Sequence, residues 1–268
     1  MANLFIQFPE LAKRRASSFE YLRASSLTSD LITRFFEVLA EAYTICNTLS
    51  AKEIHPRCIW AMDETGINLT DLGGFKVVAR KGSRSIPLVS SNMSDHITVI
   101  YTCNSQGYSL EPCFILKKRT AVNSFLENCK KAGFHNPLVM FTEKAFINFE
   151  TFNQWAKSFV ENAKFNSHDA LTLIYDGHTT HTMHYESLKY LNQEKVISIC
   201  IPAHSSHLFN VSDVAIFSKM KDSLKRRQLE YKRTKNRNLT LNDFPYIFKQ
   251  AWDDSVNQNS IIAGIIIQ

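Results

Sequence analysis

The sequence predicts an α/β fold in which helices flank a mixed sheet. The chain has 268 residues, of which 44% are hydrophobic and 21% charged, so it can bury a sizeable core. Four short apolar runs bounded by turn residues come first and predict strands, at residues 58–63, 75–79, 96–103 and 108–116. Helix and strand patterns then alternate, which is the order that adds parallel strands to a sheet. Together, the first set of strands and the later alternation of helices and strands predict a mixed sheet.

The individual elements follow from local patterns along the chain. Apolar residues at helical spacing predict a first helix at about 26–49, with Ser26 or the pair Thr28-Ser29 at its N-cap. Residues 104–107 read Asn-Ser-Gln-Gly and predict a hairpin loop between two strands. The later elements are predicted as a helix at 149–163, a strand at 171–176, a helix at 183–193, a strand at 196–201 and helices at 213–232 and after 243.

Composition and charge exclude some classes of protein and indicate a polyanionic partner. No apolar run approaches the length that crosses a bilayer, so no membrane partner is expected, and residues 1–6 lack the basic region of a signal peptide. The six cysteines form no Cys-x-x-Cys pair, and most lie in apolar stretches, which predicts buried free thiols. Residues 219–237 carry nine basic and two acidic side chains. Such a segment is either a nucleic-acid contact or a solvated helix face.

Three aspartates stand at or near the ends of apolar runs and form a candidate metal site. Asp63 ends the run 59–62, Asp176 ends the run 171–175, and Asp213 follows the run 196–202 and a short connection. A carboxylate at the end of a buried strand costs free energy unless it is paired or binds a cation. Three such groups, if they converge, would hold Mg²⁺ or Mn²⁺ through oxygen ligands and would suit phosphoryl transfer. Alternatively, the three act separately as helix caps or turn residues.

Glu64 and Gly66 follow Asp63 in the sequence, and the role of each can be predicted separately. Glu64 should point away from Asp63, because adjacent strand residues face opposite sides of a sheet. It is therefore expected to face solvent or to support the site without binding the metal directly. Gly66 is expected to permit a tight bend after the first strand.

Five histidines recur at a spacing of three near the second and third aspartates. They are His178, His181, His184, His204 and His207. With Cys200 nearby, this spacing leaves a zinc site open, although no pair of cysteines supports it. The favoured interpretation places His178 and His181 in a cleft, where they hydrogen-bond near Asp176 and contact phosphate. His204 and His207 would organise the loop that leads to Asp213.

Four sequence motifs occur in one order along the chain and together resemble a known family. They are MDETG at 62–66, YDGHTTH at 175–181, PAHSSHL at 202–208 and DVAIF at 213–217. In this order they resemble the DDE-type transposase domain of the pogo/Tigger group, which includes relatives of the jerky and centromere protein B type. The resemblance extends over about residues 8–264. It implies a ribonuclease H-like fold, in which the first and fourth strands are neighbours and a following helix supplies the third carboxylate.

The resemblance also implies a function and a set of site residues. Asp63, Asp176 and Asp213 would be the catalytic residues and would hold Mg²⁺ or Mn²⁺, with Asp63 bridging two ions. The partner would be DNA in the nucleus, and a homodimer is left open. Its backbone would be contacted by basic residues, namely Lys219, Lys221, Lys225, Arg226, Arg227, Arg80 and Lys81. Metal-dependent strand cleavage and transfer is the implied activity, and the alternative is a domesticated DNA-binding or assembly protein with little or no catalysis.

The expected organisation has four parts. Residues 1–16 would be a remnant of a helix-turn-helix region, 17–57 a helical lead-in, 58–232 the catalytic domain and 233–268 a truncated helical tail. The chain departs from the family beside its third aspartate, where Asn210-Val211-Ser212 replaces the usual Gln-Pro-Leu and Ala215 replaces a glycine. Neither a P-loop nor a Gly-x-Ser-x-Gly elbow is present in the sequence. Phosphoryl transfer of the P-loop kind and hydrolysis by a Ser-His-Asp triad are therefore a poor fit.

Overall fold

The computed structural model describes residues 28–69, 96–164 and 169–266, with only the backbone described at 207 and 266. These residues form one six-stranded sheet with the order β4-β3-β2-β1-β5-β6. The strands are β1 (Ile59–Asn68), β2 (His96–Asn104), β3 (Cys113–Leu116), β4 (Leu138–Phe141), β5 (Leu171–Tyr175) and β6 (Val196–Cys200). The strand predicted at 75–79 lies outside the described residues, as do residues 1–16, Arg80 and Lys81.

The sheet is mixed, as the sequence predicts. Strand β2 runs antiparallel to both β1 and β3, whereas β4 is parallel to β3 and β5 and β6 continue parallel from β1. Five strands therefore point the same way, and their carboxyl ends lie at one edge. The sequence did not predict β4, which is a short edge strand. Without it, β1 and β5 are the first and fourth strands and lie side by side, which is the ribonuclease H-like arrangement that the resemblance implies.

Helices cover both faces of the sheet. They are α1 (Ser29–Ser50), α2 (Val122–Lys131), α3 (Phe149–Ala163), α4 (Thr179–Thr182), α5 (Tyr185–Gln193), α6 (Ser206–Phe209), α7 (Phe217–Lys235), α8 (Phe244–Ser255) and α9 (Gln258–Ile266), with a π-helical turn at Ser212–Ile216 before α7. Each predicted helix is present, and α1 begins after Thr28, whose side chain accepts the Leu31 N–H. The sequence did not predict α2, and α9 lies within the helical tail expected at 233–268. In the described part of the chain, no helix combines the length and the apolar character that a bilayer crossing requires.

Alternation along β1 divides the core between the two faces of the sheet. Trp60 and Met62 pack on one side with α3 and α5, whereas Ala61 and Ile67 pack on the other side with α7 and α8. This is the period-two pattern of a central strand that is buried on both faces. All six cysteines are free, and five of them are buried, which confirms the predicted thiols. Cys200, at the end of β6, is exposed.

Helix α3 shows how local sequence fixes an element beside the site. Asn148 accepts the N–H of Thr151, and the Thr151 hydroxyl accepts the N–H of Asn148, so the two residues form a capping box. The helix then buries Phe152, Trp155 and Phe159 at helical spacing against the sheet. The helix start is therefore defined by hydrogen bonds, and its orientation by apolar burial.

Two predictions about turns have opposite outcomes. The hairpin at 104–107 is confirmed, since Gly107 adopts a positive φ of 88° and its N–H donates to the Asn104 carbonyl. The prediction of a bend at Gly66 is wrong, because β1 continues to Asn68 and Gly66 pairs with Thr98 inside the ladder between β1 and β2. A Cβ atom at Gly66 would lie 2.6 Å from Cε1 of His96. The glycine therefore permits close approach of a side chain and not a change of direction.

Candidate active site

Strand pairing brings Asp63 and Asp176 to the same level, which is halfway along β1 and just beyond the end of β5. The parallel ladder between β1 and β5 ends with Ala61 opposite Ile174. Each aspartate lies two residues beyond this pair, so the two are at corresponding positions. Asp63 remains in β1 and is only 8% exposed, whereas Asp176 follows the end of β5 and its side chain is 39% exposed.

Asp213 reaches the same region from the π-helical turn before α7. Turns of this kind are rare and often occur at functional sites. The segment before it is ordered by two buried polar residues: Asn210 Oδ1 accepts the Ser212 N–H at 3.0 Å, and the Ser205 hydroxyl donates to the Pro202 carbonyl at 2.6 Å. Asp213 itself is exposed. Among the neighbouring charges, that of Asp213 contributes most to the raised pKa of Asp63.

Burial and crowding by other carboxylates raise the pKa of Asp63 well above its usual value. Burial is the largest cause, and the charges of Asp213, Glu64 and Asp176 add to it in that order, although the Glu64 N–H donates to Asp63 Oδ1 at 2.8 Å and opposes the shift. A buried carboxylate surrounded by negative charge is stabilised by a divalent cation with oxygen ligands. The donor set of Asp63, Asp176 and Asp213 therefore fits Mg²⁺ or Mn²⁺.

His181 joins the second aspartate to Glu64 inside the protein. The imidazole is fully buried, with Nδ1 2.9 Å from Asp176 Oδ1 and Nε2 2.8 Å from Glu64 Oε1. Ionised carboxylates only accept hydrogen bonds, so both ring nitrogens donate and the ring is an imidazolium. Burial alone would lower the pKa of His181, but the hydrogen bonds and charges of Asp176 and Glu64 raise it to about 10.

The group formed by Glu64, Asp176 and His181 has ligand atoms within 4.8 Å of one another, yet it does not suit a metal ion as arranged. An imidazolium that donates from both nitrogens has no lone pair left for a cation. The oxygens of Asp63, Asp176 and Asp213 do not all come that close in the described structure. A pair of metal ions about 3.5–4 Å apart needs ligands that are spread more widely than those of a single ion. The wider separation of the three aspartates is therefore compatible with binding two metal ions.

The structure separates the roles predicted for Glu64 and the histidines. Glu64 turns to the face opposite Asp63, as predicted, and supports Asp176 through His181. His178 is exposed and caps α4, with Nδ1 accepting the Thr180 N–H at 3.3 Å. His184 bonds Ser187, and His204 is exposed with a φ of 63°. The side chain of His207 lies outside the described residues. Among the residues that the structure describes, no cluster of histidine and cysteine ligands appears.

The predicted basic surface lies on α7, which begins immediately after the Asp213 turn. Lys219 and Arg226 are exposed, and Lys221 and Lys225 line a cavity of about 270 Å³ beside the end of β1. Arg227 differs from them, because its guanidinium lies 2.6 Å from Asp254 and 2.7 Å from Gln250 of α8. Its contacts hold α8 against α7.

Helix α9, in the predicted helical tail, packs against the turn that carries Asp213. A Cβ atom at Gly264 would lie 2.6 Å from the Cβ of Ala215 and 3.0 Å from Cγ1 of Val211. The absence of a side chain at Gly264 thus lets α9 approach the turn from behind. No spacing rule points to this contact, because the two segments are far apart in the sequence.

An α/β sheet with one acidic residue inside β1, a second just beyond the end of the neighbouring parallel strand β5, and a third before a basic helix, defines a domain of the ribonuclease H-like type. The DDE superfamily endonuclease family matches residues 94–264, which is more than half of the chain. The chain therefore belongs to the DDE superfamily endonucleases. No curated protein matches it.

Solved structures of the Mos1 transposase are similar to almost the whole chain. Its paired-end complex with the left transposon end is 11% identical at a TM-score of 0.47, and the match covers 98% of this chain and 68% of that chain. The Mos1 strand transfer complex is 12% identical at a TM-score of 0.47, and the match covers 98% of this chain and 68% of that chain. The mariner Mos1 paired-end complex with Mn is 12% identical at a TM-score of 0.45, and the match covers 94% of this chain and 68% of that chain. Similarity at this level does not define a function.

Replacement of His181 by alanine is expected to lower the free energy of unfolding by about 3 kcal/mol, because it leaves two carboxylates without their shared cation. The pKa of His181 is raised, so its stabilising contribution is complete below about pH 6.5 and is lost as the pH rises through about 10. The difference between wild type and His181→Ala should therefore narrow at high pH.

Urea unfolding in EDTA at several pH values measures this difference, with His135→Ala as the control. His135 is exposed, and only its backbone N–H is bonded, to Glu111. A substitution there should stay within about 0.5 kcal/mol of wild type. An equal loss of stability in both variants would contradict the proposed ionic network.

Proposed function

We propose that this chain is the catalytic part of a pogo/Tigger-type transposase that cleaves and transfers DNA strands with Mg²⁺ or Mn²⁺. Asp63, Asp176 and Asp213 would bind the metal ions. The observation that carries the proposal is the position of Asp63, which lies level with Asp176. Its pKa is raised by burial first and then by the charge of Asp213. Membership of the DDE superfamily endonucleases supports it.

The protein's own groups would prepare the site in three ways. Bound divalent ions would supply Lewis acidity and lower the pKa of an attacking water or hydroxyl. Burial keeps Asp63 away from bulk water, which strengthens its interaction with a cation. Asp176 accepts from His181 and from the His178 N–H through Oδ1, so Oδ2 can serve as a ligand. Because His181 is fixed by Glu64, the orientation of Asp176 is set before any ligand binds.

The basic side of α7 would bind the DNA backbone. The helix starts beside Asp213, so Lys221 and Lys225 lie about 12 and 18 Å further along its axis. Their contacts would be with phosphates and would be independent of base sequence. Arg80 and Lys81 remain part of the proposed DNA surface, on the strength of their charge alone.

Localisation and assembly complete the proposal. A DNA substrate suits a nuclear protein, and a homodimer would present two such sites to two DNA ends. Helix α1 carries exposed Val38, Ile45 and Leu49 at a spacing of seven and four residues, which places them on one face. Such a face is compatible with a symmetric contact between two copies.

A second candidate function is a domesticated DNA-binding protein without catalysis. One observation favours it: Asp213 is exposed, and its turn carries Val211 and Ala215 against α9 in place of the family's usual residues. A small displacement of a metal ligand reduces the rate steeply. The basic face of α7 would still bind DNA in that case.

A nicking assay on labelled duplex DNA separates the two candidates. Wild type should nick DNA with Mg²⁺ or Mn²⁺ but not in EDTA, and Asp63→Asn and Asp176→Ala should each reduce the rate on the order of a hundredfold or more. Asp253→Ala serves as the matched control, because that carboxylate forms an exposed pair with Lys249 on α8. Folded wild type that binds DNA but does not nick it would favour the domesticated protein.

Removing the exposed and groove-lining charges of α7 should weaken DNA binding and flatten its salt dependence. The variant replaces Lys219, Lys221, Lys225 and Arg226 with alanine and leaves Arg227 in place, because Arg227 holds α8. The slope of log K against log salt should fall by roughly 0.9 for each phosphate that the variant no longer neutralises. Lys130→Ala with Lys131→Ala on α2 removes two exposed positive charges outside α7 and serves as the control, with the change in slope compared per charge removed. An unchanged slope would remove α7 from the DNA surface.

A further inference from the structure

A cavity of about 810 Å³ opens beside the start of α3, the helix that contacts His181 of the candidate active site. It is bounded by the carboxyl end of β4, the segment that follows it and the first turn of α3. Strand β4 runs parallel to β3 and β1, and its last residue, Phe141, is level with Ile67, four residues beyond Asp63 on β1. Helix α3 links the two places, since Thr151 lines the cavity and the ring of Phe152 lies 5.0 Å from that of His181.

An exposed aromatic ring stands in this cavity on a rigid support. Phe146 is 59% exposed, and the turn before it is closed by the Ala145 N–H, which donates to Thr142 O at 3.1 Å, and by the Thr142 hydroxyl, which donates to Phe146 O at 2.8 Å. Ala145 is fully buried with a φ of 57°, a conformation that costs free energy for an L residue. Backbone strain of this kind often persists at ligand sites. The ring also meets His96 edge to face at 5.0 Å.

The polar lining of the cavity offers both charge and amide groups. Arg119 and Lys144 line the cavity and are positively charged. The pKa of His96 is lowered by burial first and then by the charge of Lys117. Glu143 and Glu150 also line the cavity, so it is not simply a basic groove for a polyanion. Exposed amides of Asn123 and Gln154 can donate and accept hydrogen bonds, as the edge of a nucleobase requires. An aromatic platform with amides and two cations suits one nucleotide better than a duplex backbone.

We infer that this cavity binds an unpaired nucleotide of a DNA strand, with its base stacked on Phe146 and its phosphate near Arg119 and Lys144. The volume lies within the range of small-molecule sites. The inference rests on the proposed function in one respect, namely that DNA is the substrate. It adds a place, joined to the candidate active site through α3, for a base that has left the duplex.

The test compares single-stranded and duplex binding in EDTA, where cleavage does not occur. The probe is a short fluorescein-labelled oligodeoxythymidylate, alone or annealed to its complement, measured by fluorescence anisotropy. Phe146→Ala should weaken binding of the single strand on the order of tenfold and leave duplex binding unchanged. Phe149→Ala is the matched control, because Phe149 is 47% exposed, stacks on His184 and lies outside the cavity lining.

The inference would be overturned by unchanged single-strand binding in Phe146→Ala, by an equal weakening in Phe149→Ala, or by wild type that does not bind the single strand. A protein in which Phe146→Ala weakens duplex and single strand alike would also contradict it, since stacking needs an unpaired base. Circular dichroism confirms that each variant is folded. The nicking assay on duplex DNA is independent, so the proposed catalytic function can fail while the single-strand difference stands, and the reverse also holds.

Discussion

The parallel pairing of β1 with β5 is the constraint on which the candidate site depends. These strands are far apart in the sequence, yet their ladder places Asp63 and Asp176 at corresponding positions beyond the pair Ala61–Ile174. Apolar burial on both faces of β1 fixes this register, because a slip by one residue would turn Asp63 to the wrong face. The same alternation sends Glu64 to the opposite side, where it meets His181.

Two kinds of electrostatic balance then distinguish the two sides of the site. On one side, the positive charge of His181 offsets part of the negative charge of Glu64 and Asp176, and its two hydrogen bonds fix their orientation. On the other side, Asp63 is buried beside Asp213, and its pKa is raised by that burial and by neighbouring negative charge. A carboxylate in this environment gains most from a multivalent cation. The protein thus supplies its own cation to one part of the site and leaves the other part suited to metal ions.

Much of the fold was predictable because its strands and helices have clear apolar periods. The ends of β5 and α3 were close to their predicted positions, whereas β4 was missed because it is a four-residue edge strand with a weak pattern. The three aspartates could be singled out from the ends of apolar runs. The bond between His181 and Glu64 could not, since it depends on pairing between distant strands. Gly66 and Gly264 were also beyond sequence reasoning, because each accommodates a neighbour that is distant in sequence or on another strand.

The central claim is that metal ions bind on the Asp63 side of the site and not within the group of Glu64, Asp176 and His181. Anomalous diffraction from crystals soaked in Mn²⁺ tests this most directly, because it locates the ions without reference to activity. We expect Mn²⁺ between Asp63, Asp176 and Asp213, with His181 still bonded to both of its carboxylates. An ion bound to a His181 nitrogen and Glu64, or an empty site in crystals of protein that binds Mn²⁺ elsewhere, would contradict it.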